Sequence, residues 1–171
     1  MMVQLIKPTV NLQPAYLSFY EEWKASEEMM VPWVIEKDPS DFPNMVQSLL
    51  DAEKGIGLRE NFVPDSTYWL VDEEYRILGV VNIRHTLSDY LFKAGGHIGY
   101  GVRPSERQKG YATKMLELAL EETKKLGINP VLVCCDAVNL ASDKTIRNNG
   151  GVEDIDFVED NGNVIKRYWI G

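Results

Sequence analysis

The run Arg107-Gln108-Lys109-Gly110-Tyr111-Ala112 has the makings of an anion cradle. A strand-like stretch at 97–102 leads through Arg103-Pro104-Ser105-Glu106 to a helical pattern that starts near Gly110. A helix start carries amide N–H groups without intrahelical partners and a partial positive charge, so it binds a phosphate that can reach it. Gly110 has no Cβ and lets an anion approach the backbone. Ala112 keeps the next turn open, Arg107 and Lys109 add charge, and the Thr113 hydroxyl is a further donor. Neither the Walker phosphate loop nor the glycine-rich dinucleotide fingerprint is present. Taken alone, these six residues also suit an ordinary solvated loop.

The elements that must position this run are legible on both sides of it. Residues 3–6 read as a short strand. Pro14, Leu17, Tyr20, Trp23 and Met30 outline a helix that Pro32 stops. Asp41 is placed to cap a second helix with Met45, Leu49 and Leu50 on one side. Residues 67–71 and 77–83 form an antiparallel hairpin about Asp72-Glu73-Glu74. Residues 86–94 suit a short helical turn, broken by Gly95-Gly96. After the strand at 97–102, the spacing of Met115, Leu116, Ala119, Leu120 and Thr123 predicts a helix to Leu126, ended by Gly127. Residues 131–135 are a continuous apolar strand. Asn139 caps a short helix over 140–148. The end of the chain folds as a hairpin turning at Asn161-Gly162. This order predicts one domain, 1–171, of α/β (α+β) class: a single mixed, mostly antiparallel central sheet with helices on both faces.

Composition narrows the function. The chain has 171 residues, 44% hydrophobic and 26% charged, which is ordinary for a globular domain. Its 26 acidic and 18 basic residues give a net charge of −8, which argues against nucleic acid as a partner. No apolar run approaches a membrane span, and the N-terminus lacks a signal-peptide pattern, so no membrane and a cytoplasmic location are expected. The adjacent Cys134 and Cys135 read as buried strand residues, with no metal site or disulfide framework. An anionic ligand would have to rely on local charge. Arg103, Arg107, Lys109 and Lys114 supply it against the single acid Glu106.

The run Ile98-Gly99-Tyr100-Gly101-Val102-Arg103-Pro104 followed by Arg107–Ala112 resembles the GNAT acetyltransferase superfamily, its fourth strand and its Gln/Arg-x-x-Gly-x-Gly/Ala pyrophosphate loop. The later stretch from Asn139-Leu140-Ala141-Ser142 to Gly150-Gly151 is similar to a downstream helix of that family. The segment Gly96-His97-Ile98-Gly99-Tyr100 looks like one of its uncharacterised branches.

The resemblance implies a sheet splayed between the fourth and fifth strands, with acetyl-CoA as cosubstrate in the cleft. It assigns the backbone of Tyr100, Gly101 and Val102 to the pantetheine arm. Arg107, Gln108, Lys109, Gly110, Tyr111, Ala112 and Thr113 go to the pyrophosphate, and Asn139, Ser142 and Lys144 to contacts further along the cofactor. The activity implied is direct transfer of an acetyl group to a primary amine in a ternary complex. That chemistry needs a neutral amine, a donor for the developing oxyanion and a leaving thiolate. Ile146 stands where many members carry a tyrosine that protonates the thiolate. His97 falls near the usual base position, and histidine titrates near neutrality. His85 and Asp136 are the other candidates for this role. Tyr68, Trp69, Arg84 and Tyr168 are weaker candidates for lining the acceptor pocket. The acceptor is a small molecule or a peptide, and the overall acidity favours a cationic one. The protein is a monomer or homodimer. The missing tyrosine leaves a non-catalytic acyl-CoA sensor as the alternative.

Overall fold

The computed structural model describes residues 2–171. Strand β1 (Gln4–Ile6) is followed by helices α1 (Gln13–Ala25) and α2 (Phe42–Ala52). Strands β2 (Asp65–Val71), β3 (Ile77–Arg84) and β4 (Ile98–Val102) come next, then α3 (Tyr111–Lys125), β5 (Val131–Asp136) and α4 (Leu140–Asn148). The hairpin β6 (Val152–Val158) and β7 (Val164–Ile170) closes the chain.

Two differences from the periodicity are informative. Helix α1 stops at Ala25, short of Pro32, because Glu27 adopts φ 59° and the chain leaves the helix there. Residues 86–94 end in one π-helical turn, Leu91–Gly95, that delivers the chain to β4. Asp41 and Asn139 cap their helices as expected, accepting from the amides of Asn44 and Ser142.

The strands form two hydrogen-bonded sheets, ordered β1-β2-β3-β4 and β5-β7-β6, and every ladder is antiparallel. The expected parting of the fourth and fifth strands is thus complete enough to divide the sheet. Helices cover both faces. On β2 the side chains alternate as strand geometry requires. Tyr68 and Leu70 join a core with α3 and α4, while Trp69 and Val71 join one with α1 and α2. Met115, Leu116 and Ala119 are fully buried under the first sheet, so α3 and its N-terminus are rigidly placed. Burial of a methionine or leucine side chain of this kind contributes about 2 kcal/mol. Among the described residues, no helix is long and apolar enough to cross a membrane.

Candidate active site

The parting of β4 and β5 opens a cleft of about 1110 Å³. Its apex is fixed by His97. The His97 amide donates to the Leu132 carbonyl (2.7 Å), and the Leu132 amide donates back to the His97 Nδ1 (2.9 Å). Nδ1 is therefore the unprotonated nitrogen of a neutral imidazole. Burial, helped by the nearby Arg84 charge, holds the His97 pKa below its ordinary value. The ring is 6% exposed and lies outside the cleft lining. His85 is also outside it, with Nε2 against the Ser66 hydroxyl at 2.8 Å. Of the three candidate bases, Asp136 borders the cleft. Its carboxylate accepts from Asn163 Nδ2 (3.0 Å), which also donates to Glu159 (2.8 Å).

The pairing of β4 decides which backbone groups face the cleft. The backbone amide of Arg84 donates to the His97 carbonyl and that of Arg103 to the Leu78 carbonyl. With Gly101 opposite Val80 and Gly99 opposite Asn82, the odd-numbered residues of β4 form the hydrogen-bonded pairs with β3. The amides of Tyr100 and Val102 then point the other way, towards β5. Gly101 differs from its sequence assignment, because its own amide and carbonyl belong to β3. What it offers is the missing side chain. A Cβ there would stand 1.8 Å from the Val31 carbonyl and 2.6 Å from the Trp23 ring. The segment after α1 thereby packs down on β4 and roofs the cleft.

The mouth of the cleft is the N-terminus of α3. Gln108 (φ 63°) and Gly110 (φ 84°) turn the chain sharply into the helix, and no side chain caps it. A Cβ on Gly110 would meet nothing within 4 Å, so the space above the backbone is open. Successive amides in such a turn form a concave anion site. Gln108, Tyr111, Ala112 and Thr113 line the same mouth. Coenzyme A fits this group of residues: an uncapped helix end at one limit, free strand amides along one wall.

The basic side chains are placed differently from the sequence expectation. Arg103 is buried and holds α1 in place, donating to Glu22 (2.8 Å), Ser18 (2.8 Å) and the Ile77 carbonyl (3.2 Å). Burial pushes the Glu22 carboxyl up, but its bonds from Arg103 and Ser105 outweigh that and hold its pKa low. Arg107 borders the mouth, where it pairs with Glu28 (2.6 Å) over the Trp23 ring. Lys109 turns to Glu106 (2.9 Å) and leaves the lining, and Lys114 pairs with Glu117 (3.4 Å). Each of these four cations is matched by an acid, distant in the chain for Arg103 and Arg107 and three residues away for Lys109 and Lys114, which leaves the backbone amides of the helix end as unpaired donors at the mouth.

On the far wall Asn139 caps α4, and Ser142 and the exposed Lys144 line the cleft. The Ser142 hydroxyl lies 2.5 Å from the Tyr100 phenol, joining α4 to β4. Burial raises the Tyr100 pKa to about 12. Ile146 is fully buried in the core and does not reach the cleft. Cys134 and Cys135 line it, and burial pushes their thiols up to about 12 and about 11. Tyr68, Trp69 and Tyr168 are core residues, not pocket residues; Arg84 does border the cleft. Trp23, Glu28, Met29 and Val31 also line it, and no local pattern marks them. A smaller cavity of about 160 Å³ lies apart, beside Trp33, Lys37 and Arg59. Among the described residues, no cluster of three or more His, Cys, Asp or Glu could hold a metal ion.

Comparison with known proteins agrees with this geometry. The GNAT family profile described as "Acetyltransferase (GNAT) domain" matches residues 8–152. No curated protein sequence matches. Among solved structures, the chain resembles RimL, a ribosomal protein alpha-N-acetyltransferase in complex with coenzyme A, at 17% identity and TM-score 0.71, covering 99% of this chain and 93% of that one. It also resembles the microcin C7 self-immunity acetyltransferase MccE in complex with acetyl-CoA and AMP, at 18% identity and TM-score 0.66, over 98% and 91% of the chains. A variant of the spermidine N-acetyltransferase SpeG from Vibrio cholerae matches at 14% identity and TM-score 0.62, over 99% and 94%. At these identities the likeness speaks for the fold; the profile match speaks for the family. With most of its length matched by that profile, the chain belongs to the GNAT acetyltransferase family, whose cosubstrate is acetyl-CoA.

Proposed function

We propose that this enzyme moves an acetyl group directly to a primary amine, with both substrates held in the cleft between β4 and β5. The observation that carries this reading is the alignment of the uncapped, open N-terminus of α3 with the cleft-facing amides of Tyr100 and Val102. Bound acetyl-CoA supplies the activated thioester.

The amides of 108–113 bind the pyrophosphate, with the Thr113 hydroxyl alongside. The Tyr100 or Val102 amide donates to the carbonyl oxygen as negative charge develops there, an interaction that strengthens where water is excluded. Asn139, Ser142 and Lys144 hold the arm from the α4 side.

Proton traffic falls to two groups. The Tyr100 phenol, kept protonated by burial and aligned by Ser142, donates to the departing sulfur in place of the family tyrosine that Ile146 replaces. Asp136 attracts the acceptor's ammonium, whose proton leaves through water. His97 acts as a positioning residue, since its Nδ1 is committed to Leu132 and its ring stands outside the lining. The two cleft thiols stay protonated at neutral pH and make poor nucleophiles, which favours direct transfer over a cysteine-bound acyl group.

The test is thiol detection of released CoA across a panel of primary amines, with mass analysis of the products. Amine-dependent release with an N-acetylated product supports the proposal. Tight acetyl-CoA binding without release from any acceptor would support a sensor instead.

A further inference from the structure

Three arginines sit largely inside this fold, and in two of them every guanidinium nitrogen has a partner. Arg103 meets Glu22, Ser18 and a carbonyl. Arg167 meets Asp154 and the carbonyls of Phe92 and Ile155. Arg84 is the exception. Its side chain makes one hydrogen bond, from Nη1 to the Gly95 carbonyl at 3.2 Å, although a guanidinium has five N–H donors. Among the described residues no carboxylate closes an ion pair with it. Asp65, its partner across the β2–β3 ladder, instead accepts from Asn82 at 2.7 Å. Burial lowers the Arg84 pKa, but the group stays charged at neutral pH. Next to it the Asn82 Oδ1 is a buried acceptor without a partner.

The location is specific. The guanidinium lies flat on β4, where a Cβ on Gly99 would come within 2.9 Å of Nη2 and 3.2 Å of Nη1. Gly99 precedes Tyr100, whose amide faces the cleft, and follows the His97 apex by two residues. Arg84 thus borders the deep end of the cleft, on the face roofed by Trp23 and Val31. A part-buried cation with unused donors beside a reaction centre favours a planar anion that takes two parallel hydrogen bonds.

We propose that Arg84 binds a carboxylate on the acceptor, so that the substrate is a small amino acid or related amino-carboxylate. This rests on the acetyl-transfer reading above and names its substrate class. The net charge of −8 favours cations at long range. At the deep end of the cleft the guanidinium decides, because attraction within a partly buried site is far less screened; the Asp65 carboxylate offsets part of its charge without bonding to it.

The experiment compares matched acceptors: L-amino acids, their carboxamides, the corresponding decarboxylated amines, and a peptide with a free N-terminus and acidic second residue. CoA release is followed with wild type, Arg84→Met and Gly99→Ala, whose added methyl displaces the guanidinium. The expected result is a KM for the free amino acid at least tenfold below that of its carboxamide, about the value of one charge-assisted hydrogen bond. Both variants should collapse that ratio towards one, with acetyl-CoA affinity within twofold by calorimetry. Should Arg84→Met fail to fold by thermal melt, Gly99→Ala carries the comparison. Binding of the amino acid to the CoA-loaded protein, read by calorimetry, tests the anchor without turnover. Equal or better use of carboxamides, amines or the peptide overturns the proposal, as does discrimination that survives in both variants. If no acceptor releases CoA, the acetyl-transfer reading falls; if amino acids still bind through Arg84, the anchor stands.

Discussion

The backbone amide of Leu132 donates to the Nδ1 of His97 at 2.9 Å, and this bond ties the two sheets at the apex of the cleft. It requires an unprotonated Nδ1. The folded-state pKa of His97 is depressed, chiefly by burial. The unfolded chain therefore binds a proton more readily, and stability rises with pH across that interval. The His97 contribution is full above the ordinary value of 6.5 and is lost as pH falls below it towards the folded value. Chemical denaturation between pH 7.5 and 5.5 should show that loss in wild type. His97→Ala should be less stable by about 2 kcal/mol at neutral pH and nearly flat over the same interval. A variant with unchanged stability and the same pH slope would show that His97 does not hold the apex.

Gly110 separates backbone strain from ligand access. Its φ of 84° makes any other residue costly, by about 1 kcal/mol, yet the space above it is empty. Gly110→Ala should lower the melting temperature by a few degrees. Gly110→Asp should do the same and also weaken acetyl-CoA binding by more than tenfold, because a carboxylate then occupies the anion site. Calorimetric titration of both variants checks this, and equal affinities would remove the loop from the site.

The Arg107–Glu28 pair makes a prediction of opposite sign. Arg107 borders the mouth but is paired with an acid from the segment after α1. Exposed pairs of this kind contribute up to about 1 kcal/mol. Glu28→Gln frees the guanidinium and removes a repulsive charge at the mouth. Acetyl-CoA should bind about threefold tighter, with the gain shrinking in high salt. Unchanged affinity at low salt would mean that Arg107 does not reach the ligand.

Tyr100 carries the proton-donor assignment. Tyr100→Phe removes the hydroxyl and keeps the ring against the core. The turnover number should fall by about 100-fold, the lower end of the range for general acid catalysis, with acetyl-CoA affinity within threefold. Ser142→Ala should lower turnover less, since it only aligns the phenol. A Tyr100→Phe enzyme with full turnover would leave the thiolate to depart unaided.

The helices and most strands could be read from the sequence because their signals are local. Asp41 and Asn139 cap where their types suggest, and Asn161-Gly162 turns the last hairpin. The turn into α3 is legible for the same reason: Gly110 and the helix start adjoin in the chain. What escaped depends on contacts across long separations. Nothing near Trp23 or Val31 announces that they pack on Gly101. The pairing of Arg103 and Arg107 is not legible locally, because their partners Glu22 and Glu28 lie about eighty residues away. His97 was read by the titration range of its side chain, and only the fold shows its Nδ1 spent on Leu132. The sequence points to the backbone of Tyr100; that its phenol meets the Ser142 hydroxyl emerges only when the fold brings α4 beside β4.

Acetyl transfer to an amine within the β4–β5 cleft can be followed with isotope-labelled acetyl-CoA, wild type and Gly110→Asp while the amine concentration is varied. The expected result is amine-dependent CoA release, one labelled acetyl group on the amine nitrogen for each CoA freed, an unmodified protein by intact mass, and loss of the reaction in the variant. CoA release that is independent of amine, or label found on the protein, would contradict it.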